Sequence, residues 1–258
     1  MCIDENLGRS RCKIIYNNQI AEGVFEIVFE SDSISSEAKP GQFVNLYSSS
    51  GSMLLPRPIS ICEVNPEEQW VKLVYAVVGE GTKEFSTLGK GSYIDVLGPV
   101  GNGYTIETCE GSILVGGGVG TPPLLELAKR IEGKKTIYLG FRSNPYLINE
   151  LKKYGEVFVA TDDGSEGHHG TVIELMNQTS AIGQRIYACG PKPMLKALQQ
   201  WAAERNIPTQ LSLEERMGCG FGACVGCVCK IKADNEVGYI YKKVCKDGPV
   251  FDAKEVLF

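Results

Sequence analysis

The clearest indication of the fold class is the segment Ile113-Leu114-Val115-Gly116-Gly117-Gly118-Val119-Gly120-Thr121-Pro122-Pro123. It begins as a short apolar strand, turns at a run of glycines and opens a helix predicted to end near Ile131 and Gly133. A glycine loop in this position lets backbone N–H groups approach a pyrophosphate at the positive end of the helix. The full G-x-G-x-x-G pattern is not met because Thr121 occupies its last position, so a tight structural turn is the alternative.

The alternation of strand and helix continues beyond this loop. Strands are predicted at Thr136 to Phe141, Val157 to Thr161 and Arg185 to Cys189, and Pro193 opens a further helix. Such alternation is typical of a parallel sheet with helices on its faces. The middle of the chain is therefore predicted to be a Rossmann-like parallel α/β domain.

Two further groups of residues follow strands of this predicted sheet. Cys189-Gly190-Pro191 ends one strand, and Asp162 with Asp163 follows another. Ligands of open α/β sheets bind at the carboxyl ends of the strands, so the second loop is expected to converge with the glycine loop on one crevice. Asp162 is placed to accept ribose hydroxyls; a solvated loop carboxylate is the alternative.

The sequence up to about Gly103 has a different pattern, of short strands cut by turns. Alternating and β-branched residues at this spacing indicate a small antiparallel barrel or sandwich. The strand candidates are Val24 to Phe29, Gln42 to Tyr47, Val71 to Ala76 and Tyr93 to Leu97.

Two short motifs in this region are suited to a flavin. Arg57-Pro58-Ile59-Ser60 follows a turn predicted at Gly51 and starts a strand, where the guanidinium can bind pyrophosphate and the serine can lie near the ring. Gly81-Thr82 is predicted to open a short helix, with Thr82 as N-cap and free N–H groups for a phosphate. Either motif alone is also an ordinary turn or cap. Their order relative to the glycine loop strengthens both interpretations.

Five of the ten cysteines crowd the end of the chain. Cys219, Cys224 and Cys227 have the spacing C-x4-C-x2-C, and Cys245 follows farther on, as in a plant-type [2Fe–2S] site where four thiolates hold two irons. The intervening glycines let the backbone wrap a cluster closely. A structural zinc site or buried thiols are the alternatives, although zinc usually takes paired C-x2-C knuckles and the second pair is missing. Cys229 is interpreted as a packed thiol.

Composition and charge exclude several classes of function. A net charge of −5 gives no basic surface for a polyanion, so nucleic-acid binding is not expected. No apolar run approaches the roughly 18 residues of a membrane span, and Met1 to Leu7 lacks the basic-then-apolar form of a signal peptide. The chain is therefore expected in the cytoplasm and off the membrane, where ten cysteines are not expected to form disulfides.

Taken in order, these motifs resemble those of the ferredoxin-reductase superfamily. The resemblance also includes Gly98-Pro99-Val100-Gly101-Asn102-Gly103. At the end of the chain, Leu213-Glu214-Glu215-Arg216-Met217-Gly218-Cys219-Gly220 and Val244-Cys245-Lys246-Asp247-Gly248-Pro249-Val250-Phe251 resemble electron-transfer subunits of type B dihydroorotate dehydrogenases. With these segments included, the resemblance spans nearly the whole chain.

Pattern and resemblance together predict a multi-domain β plus α/β protein. Its parts are an N-terminal antiparallel FAD-binding β-barrel at 1–105, a pyridine-nucleotide-binding α/β domain at 106–210 and a small C-terminal [2Fe–2S] domain at 211–258. The resemblance assigns FAD to Arg57, Pro58, Ile59, Ser60, Val74, Tyr75, Ala76, Gly81 and Thr82. NAD is assigned to Gly116, Gly117, Gly118, Gly120, Thr121, Asp162, Gly190 and Pro191. The cluster ligands would be Cys219, Cys224, Cys227 and Cys245, and Cys189 is placed either near the nicotinamide or as a packed thiol.

The resemblance also implies a partner. This is a separate FMN-containing catalytic subunit that oxidises dihydroorotate to orotate in pyrimidine synthesis, in a heterotetramer with two of each chain. Electrons would pass from the FMN through the cluster and FAD to NAD+. NAD+ is preferred on the resemblance, whereas Arg142 would favour the 2′-phosphate of NADP+.

Two other interpretations of the sequence stay open. One is the small subunit of an NADH-dependent ferredoxin:NADP+ oxidoreductase or of a sulfide dehydrogenase, which share these modules. The other is not an enzyme but a zinc-stabilised binding module or a redox sensor.

Overall fold

The computed structural model describes residues 8–49 and 53–258. Met1 to Leu7 and the turn expected at Gly51 lie outside the described residues. Within the described part of the chain, no helix is both long and apolar enough to cross a membrane.

The first module is a closed antiparallel barrel of six strands. Of the two architectures predicted for this region, barrel and sandwich, the barrel is confirmed. Its strands, in order around the barrel, are β1 (Ser10–Ala21), β2 (Val24–Glu30), β5 (Trp70–Ala76), β4 (Arg57–Asn65), β3 (Phe43–Tyr47) and β6 (Tyr93–Val100). Alternation fills the interior, because Ile27 and Phe29 of β2 and Val44 and Leu46 of β3 are fully buried. Two short helices, α1 (Asp32–Glu37) and α2 (Glu80–Ser86), connect strands of the barrel.

The second module is a seven-stranded sheet. Its strands, in spatial order, are β10 (His168–His169), β9 (Glu156–Thr161), β8 (Lys134–Phe141), β7 (Gly111–Gly117), β11 (Arg185–Cys189), β12 (Thr209–Ser212) and β15 (Val250–Asp252). All neighbouring pairs are parallel except β12 with β15. The chain order reverses between β7 and β11, which makes that gap the topological switch point where such sheets bind ligands.

Helices cover both faces of this sheet. They are α3 (Pro123–Arg130), α4 (Ile148–Leu151), α5 (Val172–Gln178) and α6 (Lys192–Glu204). Leu114 of β7 packs in a core with α3 and α4, whereas Ile113 and Val115 pack with α5 and α6. The first core takes in Val74 of the barrel, so the barrel and the sheet share buried apolar surface.

The C-terminal segment folds over the edge of the parallel sheet. Its own sheet is antiparallel and consists of β14 (Tyr239–Lys243), β13 (Val228–Lys232) and β16 (Val256–Leu257), with the short helix α7 (Val244–Asp247) after β14. The intervening strand β15 leaves this sheet and pairs with β12, Phe251 lying opposite Leu211. The strand β12 thus spans the boundary predicted at residue 210, and the last segment completes the sheet of the second module.

One predicted helix start is wrong. Gly79, not Thr82, is the N-cap of α2, and the helix begins at Glu80. The hydroxyl of Thr82 accepts hydrogen bonds from the N–H groups of Val78 (3.0 Å) and Gly79 (3.2 Å). Thr82 therefore closes the first turn from its third position instead of preceding it.

Candidate functional site

The glycine loop after β7 and the loop after β11 are in direct contact at the switch point. An ideal Cβ built on Gly117 would lie 2.6 Å from Met194 Sδ, and one on Gly190 would lie 3.0 Å from the Gly117 nitrogen. A Cβ on Gly120 would overlap the Cys189 carbonyl. Only glycine fits between these segments, so the two predicted nucleotide loops form one surface at the carboxyl edge of the sheet.

Thr121, the residue that breaks the expected glycine pattern, is fully buried behind this loop. Its Oγ1 would lie 3.1 Å from a Cβ on Gly116, and this hydroxyl has no hydrogen-bond partner among the described residues. Gly118 has φ +51° and starts the single 3₁₀ turn that leads into α3. Buried hydroxyls normally have a hydrogen-bond partner, so the unpaired hydroxyl of Thr121 is compatible with a polar ligand bound at this loop.

Cys189 and Asp162 lie at the same edge of the sheet. Cys189 ends β11, where it lies opposite Gly116 of β7 and Ser212 of β12. Burial raises the pKa of Cys189 to about 12, outweighing the opposite effect of the Ser212 hydroxyl. The thiol is therefore neutral near pH 7 and is neither a base nor a nucleophile. Asp162 is exposed after β9, which is two strands and about 10 Å from β7.

The two predicted flavin motifs meet at one end of the barrel. A Cβ on Gly81 would lie 2.6 Å from Arg57 Nε, so the guanidinium rests on the first turn of α2. Arg57 Nη1 donates to the carbonyl of Leu55 (2.7 Å). The first N–H bonded within α2 is that of Lys83, which leaves the N–H groups of the first turn for another acceptor. A guanidinium beside free helical N–H groups is a cradle for phosphate.

The other predicted flavin residues lie on the adjacent strands. Pro58, Ile59 and Ser60 are half-buried on β4, and Ala76 is half-buried at the end of β5. The side chains of Val74 and Tyr75 are buried, and the Tyr75 hydroxyl is 3.3 Å from Asn17 Oδ1. Contact of these two residues with a ligand would therefore use their backbone groups.

The four predicted ligand cysteines come together as two pairs. The thiols of Cys219 and Cys224 interact with each other, as do those of Cys227 and Cys245. In the part of the chain that the structure describes, no three His, Cys, Asp or Glu side chains gather around one ion position. Cys245 also interacts electrostatically with Cys219, so the four thiols lie near one another, and four cysteines at this spacing are the ligand set of a plant-type [2Fe–2S] site.

Backbone N–H groups point at these sulfur atoms. The N–H of Cys224 donates to Cys219 Sγ (3.3 Å) and that of Cys245 to Cys227 Sγ (3.5 Å). Burial opposes ionisation of Cys219, but the N–H groups of Cys224, Phe221 and Ala223 outweigh it and lower the pKa of Cys219 to about 6. The loop therefore favours a thiolate at Cys219, the form that binds metal.

The cysteine loop is fastened to the barrel and to α7. Asn45 Nδ2 on β3 donates to the Gly220 carbonyl (3.1 Å), and Lys243 Nζ donates to the Gly222 carbonyl (2.7 Å). Asn102 Nδ2 donates to the carbonyl of Lys246 at the end of the helix that holds Cys245 (3.1 Å). The sulfur pairs thus have a fixed position relative to the barrel.

One side of the cysteine loop faces outward. Phe221 is 50% exposed and Val225 is 71% exposed, although both are apolar. Cys229 lies on β13 and packs against the core of the sheet, and burial raises its pKa to about 11. It is a half-buried thiol on the strand that follows Cys227.

Two contributors to the site carry no motif. Asn45 is a buried amide in an otherwise apolar strand, and a polar residue at that position is the one feature of the sequence that could have pointed to its role. The hydroxyl of Tyr104, which follows the Gly98 to Gly103 motif, donates to the Ala188 carbonyl beside Cys189 (2.9 Å). Both residues join modules that are far apart in sequence, which local pattern does not reveal.

Comparison with known proteins agrees with this arrangement. The family model of the iron-sulfur cluster binding domain of dihydroorotate dehydrogenase B matches residues 214–257. A protein of Caldanaerobacter subterraneus subsp. tengcongensis named dihydroorotate dehydrogenase B (NAD(+)), electron transfer subunit, is 42% identical over 97% of this chain and 99% of its own length. A protein of the same name from Bacillus caldolyticus is 42% identical over the same shares.

Solved structures show the same fold. The structure of an NADH-dependent reduced ferredoxin-NADP oxidoreductase superposes with a TM-score of 0.85 at 33% identity, over 95% of this chain and 89% of the other. A ferredoxin NADP+ reductase from Neisseria gonorrhoeae with bound FAD and NADP superposes with a TM-score of 0.63 at 14% identity, over 77% of this chain and 92% of the other. With its barrel, parallel sheet and paired cysteines, the chain belongs to the family of dihydroorotate dehydrogenase B electron transfer subunits.

Proposed function

We propose that this chain is the electron transfer subunit of an NAD-dependent dihydroorotate dehydrogenase in pyrimidine synthesis. The observation that carries the proposal is the juxtaposition of the paired thiols with the flavin motifs: the Cys219 to Cys227 loop is hydrogen-bonded to the same barrel that brings Arg57 onto Gly81. The proposal extends to a cytoplasmic location.

The cysteine pairs would hold a [2Fe–2S] cluster. Each iron of such a cluster takes two thiolates, and the chain supplies Cys219 with Cys224 and Cys227 with Cys245. The N–H groups aimed at the sulfur atoms would stabilise the negative charge of the cluster. The C-x4-C-x2-C spacing with a fourth cysteine farther on supports two irons rather than one zinc.

The barrel would hold FAD, and the sheet edge would hold NAD. Arg57 and the first turn at Gly81 and Thr82 would bind the FAD pyrophosphate, with Pro58, Ile59, Ser60, Val74, Tyr75 and Ala76 along the flavin. The nucleotide would lie on Gly116, Gly117, Gly118, Gly120, Thr121, Gly190 and Pro191, with Asp162 toward a ribose. Cys189, neutral and half-buried at this edge, would pack near the nicotinamide and transfer no proton.

The bound cofactors would carry the electrons, and the chain would hold the cofactors in position. Dihydroorotate gives up two electrons and two protons on becoming orotate, NAD+ takes both electrons with one proton, and the other proton is released. The partner is proposed to be an FMN-containing catalytic subunit in a heterotetramer of two and two. The exposed Phe221 and Val225 beside the cysteine pairs offer it an apolar contact surface.

A cofactor count tests the proposal. The chain, co-expressed with an FMN-dependent dihydroorotate dehydrogenase and purified as a complex, should contain FAD, FMN and two irons per pair of chains. The isolated chain should reduce dyes with NADH and should not oxidise dihydroorotate. Cys219→Ser should lose iron and keep FAD, whereas Cys229→Ser, a matched change in a cysteine outside the pairs, should keep both. Zinc in place of iron, or dihydroorotate oxidation by the chain alone, would refute the proposal.

A second candidate function comes from the TM-score of 0.85 with the NADH-dependent reduced ferredoxin-NADP oxidoreductase. The same three modules could serve as the small subunit of such an enzyme. The two functions differ in the partner. Complex formation with a dihydroorotate dehydrogenase and dihydroorotate-dependent NAD+ reduction support the first, and ferredoxin-dependent NADP+ reduction with a larger flavoprotein supports the second.

A further inference from the structure

Asn45 is a polar residue in an unusual place. It lies in the middle of β3, whose sequence is Phe-Val-Asn-Leu-Tyr, and all five residues of the strand are buried. Asparagine is depleted in strands, and a buried amide is costly unless it forms hydrogen bonds. The position therefore calls for a specific partner.

That partner is the loop that carries the cysteine pairs. Asn45 Nδ2 donates to the carbonyl of Gly220, the residue directly after Cys219, at 3.1 Å. Gly220 has φ +76°, and a Cβ on it would lie 2.6 Å from Asn45 Cγ. The amide and the loop backbone are therefore packed face to face, in a contact that only glycine at 220 permits.

The opposite neighbour of Asn45 belongs to the flavin motif. In the barrel, Asn45 lies directly across from Pro58, and Phe43 lies across from Ser60. Residues directly opposite in a sheet share a face, so Asn45 is on the same outer face of the barrel as Pro58 and Ser60. The register against β6 shifts between Phe43 and Asn45, an irregularity of the kind that turns a side chain toward a site.

The amide also has an unused acceptor. Asn45 Oδ1 is buried and has no hydrogen-bond partner among the described residues. Buried acceptors rarely lack a hydrogen-bond partner, because burial removes their hydrogen bonds to water without replacing them. An acceptor beside both the flavin motif and the cysteine loop is placed to receive a hydrogen bond from a group bound there.

We propose that Asn45 is a positioning residue that fixes the distance between the cluster loop and the flavin. This rests on the proposed function, because it requires FAD on the barrel and a cluster at the cysteine pairs. The rate at which one electron passes between two centres falls steeply with their separation. One rigid side chain that contacts the cluster loop and adjoins the flavin motif sets that separation, as outer-shell partners do for metal sites.

The test is reduction of the purified full chain by NADH, followed anaerobically in a stopped-flow instrument. Flavin reduction should be the same in wild type, Asn45→Ala and Asn45→Asp. The later bleaching of the cluster should be about tenfold slower or more in both variants. Asn45→Asp should also lower the reduction potential of the cluster, since a nearby carboxylate disfavours the added electron, and should shift its EPR spectrum.

Asn235→Asp is the matched control. Asn235 Nδ2 donates to the carbonyl of Tyr239 (3.0 Å) in the same C-terminal segment, so the change removes a similar bond and adds the same charge away from the cysteine loop. It should leave both phases and the potential unchanged. Native cluster kinetics in both Asn45 variants would overturn the inference, whatever the potential in Asn45→Asp, as would loss of iron from both, which would make Asn45 a residue of cluster retention. Absence of FAD or iron from the wild type would instead refute the proposed function.

Discussion

Gly120→Ala tests how closely the two nucleotide loops must approach. An added Cβ would overlap the Cys189 carbonyl and lie 2.6 Å from the Gly190 nitrogen. Both atoms are backbone, so the loops must separate by about 1 Å to reach ordinary van der Waals contact. Overpacking of this kind costs about 1–3 kcal/mol, which corresponds to a fall in Tm of about 2–12 °C in a chain of this size.

The same separation should impair use of the nucleotide. A displacement of about 1 Å in a positioning element can cost up to about 100-fold in rate. We therefore expect kcat/KM for NADH, measured with a dye acceptor, to fall about 10- to 100-fold in Gly120→Ala. The content of FAD and iron should not change, because Arg57 and the cysteine pairs lie on other segments.

Gly111→Ala is the control, since Gly111 begins the same strand and a Cβ there would meet nothing within 4 Å. Its Tm and kcat/KM should equal those of the wild type. Normal NADH kinetics in Gly120→Ala, with Tm lowered as expected, would refute the assignment of this loop to the nucleotide. An unchanged Tm would refute the close approach itself.

Three further predictions concern the barrel, its junction with the sheet, and the buried thiols. Arg57→Ala should lose FAD on gel filtration while keeping iron, because the guanidinium over Gly81 is the cationic part of the proposed phosphate cradle; full retention of FAD would contradict this. Glu126→Ala should lower the free energy of unfolding by about 1–3 kcal/mol in urea titrations, since this buried carboxylate accepts from the Val64 N–H (3.2 Å) and its loss leaves a buried donor unpaired. Burial raises the pKa of Cys12 and of Cys189 to about 12, so both thiols keep their protons in the folded chain at pH values where the unfolded chain releases them. The contribution of these two thiols to the free energy of unfolding should therefore be constant below about pH 9 and be lost as the pH rises from about 9 to 12, and Cys12→Ala should reduce that loss in denaturant midpoints measured at about pH 8 and 10.5; an equal loss in Cys12→Ala and wild type would contradict this.

Elements set by local pattern were predictable from the sequence. Arg185 to Cys189 was predicted as a strand and is β11 with the same ends, because a buried β-branched and aromatic run between turn residues has few alternatives. The pairing of the Gly116 and Cys189 loops followed from the rule that parallel strands end at one edge. The spacing of Cys219, Cys224 and Cys227 predicted a cysteine site in the tail, whereas the approach of Cys245 to Cys227, 18 positions earlier, depends on the fold of the segment between them.

Other features depend on contacts that no local pattern encodes. Gly79 is the N-cap of α2 because its backbone is extended (φ −169°) and the Thr82 side chain forms a hydrogen bond back to it. The dipeptide Gly81-Thr82 alone does not indicate this cap. The pairing of β15 with β12 joins residues about forty positions apart in the sequence. It forms because β12 is the last parallel strand and leaves one edge of the sheet open to a further strand. Asn45 gains its importance only from Gly220, which is 175 residues away.

The pairing of β12 with β15 bears on how the cysteine loop is held to the rest of the chain. The chain leaves the sheet after Ser212, forms the cysteine loop and its small sheet, and returns to the same edge at Val250. The excursion is thus closed at its base by backbone hydrogen bonds between β12 and β15, in which no cysteine takes part. Because the sheet holds the two ends of this long loop together, strand pairing offsets the entropy of closing it, and a group bound by the cysteines would order a loop tethered at both ends rather than a free tail.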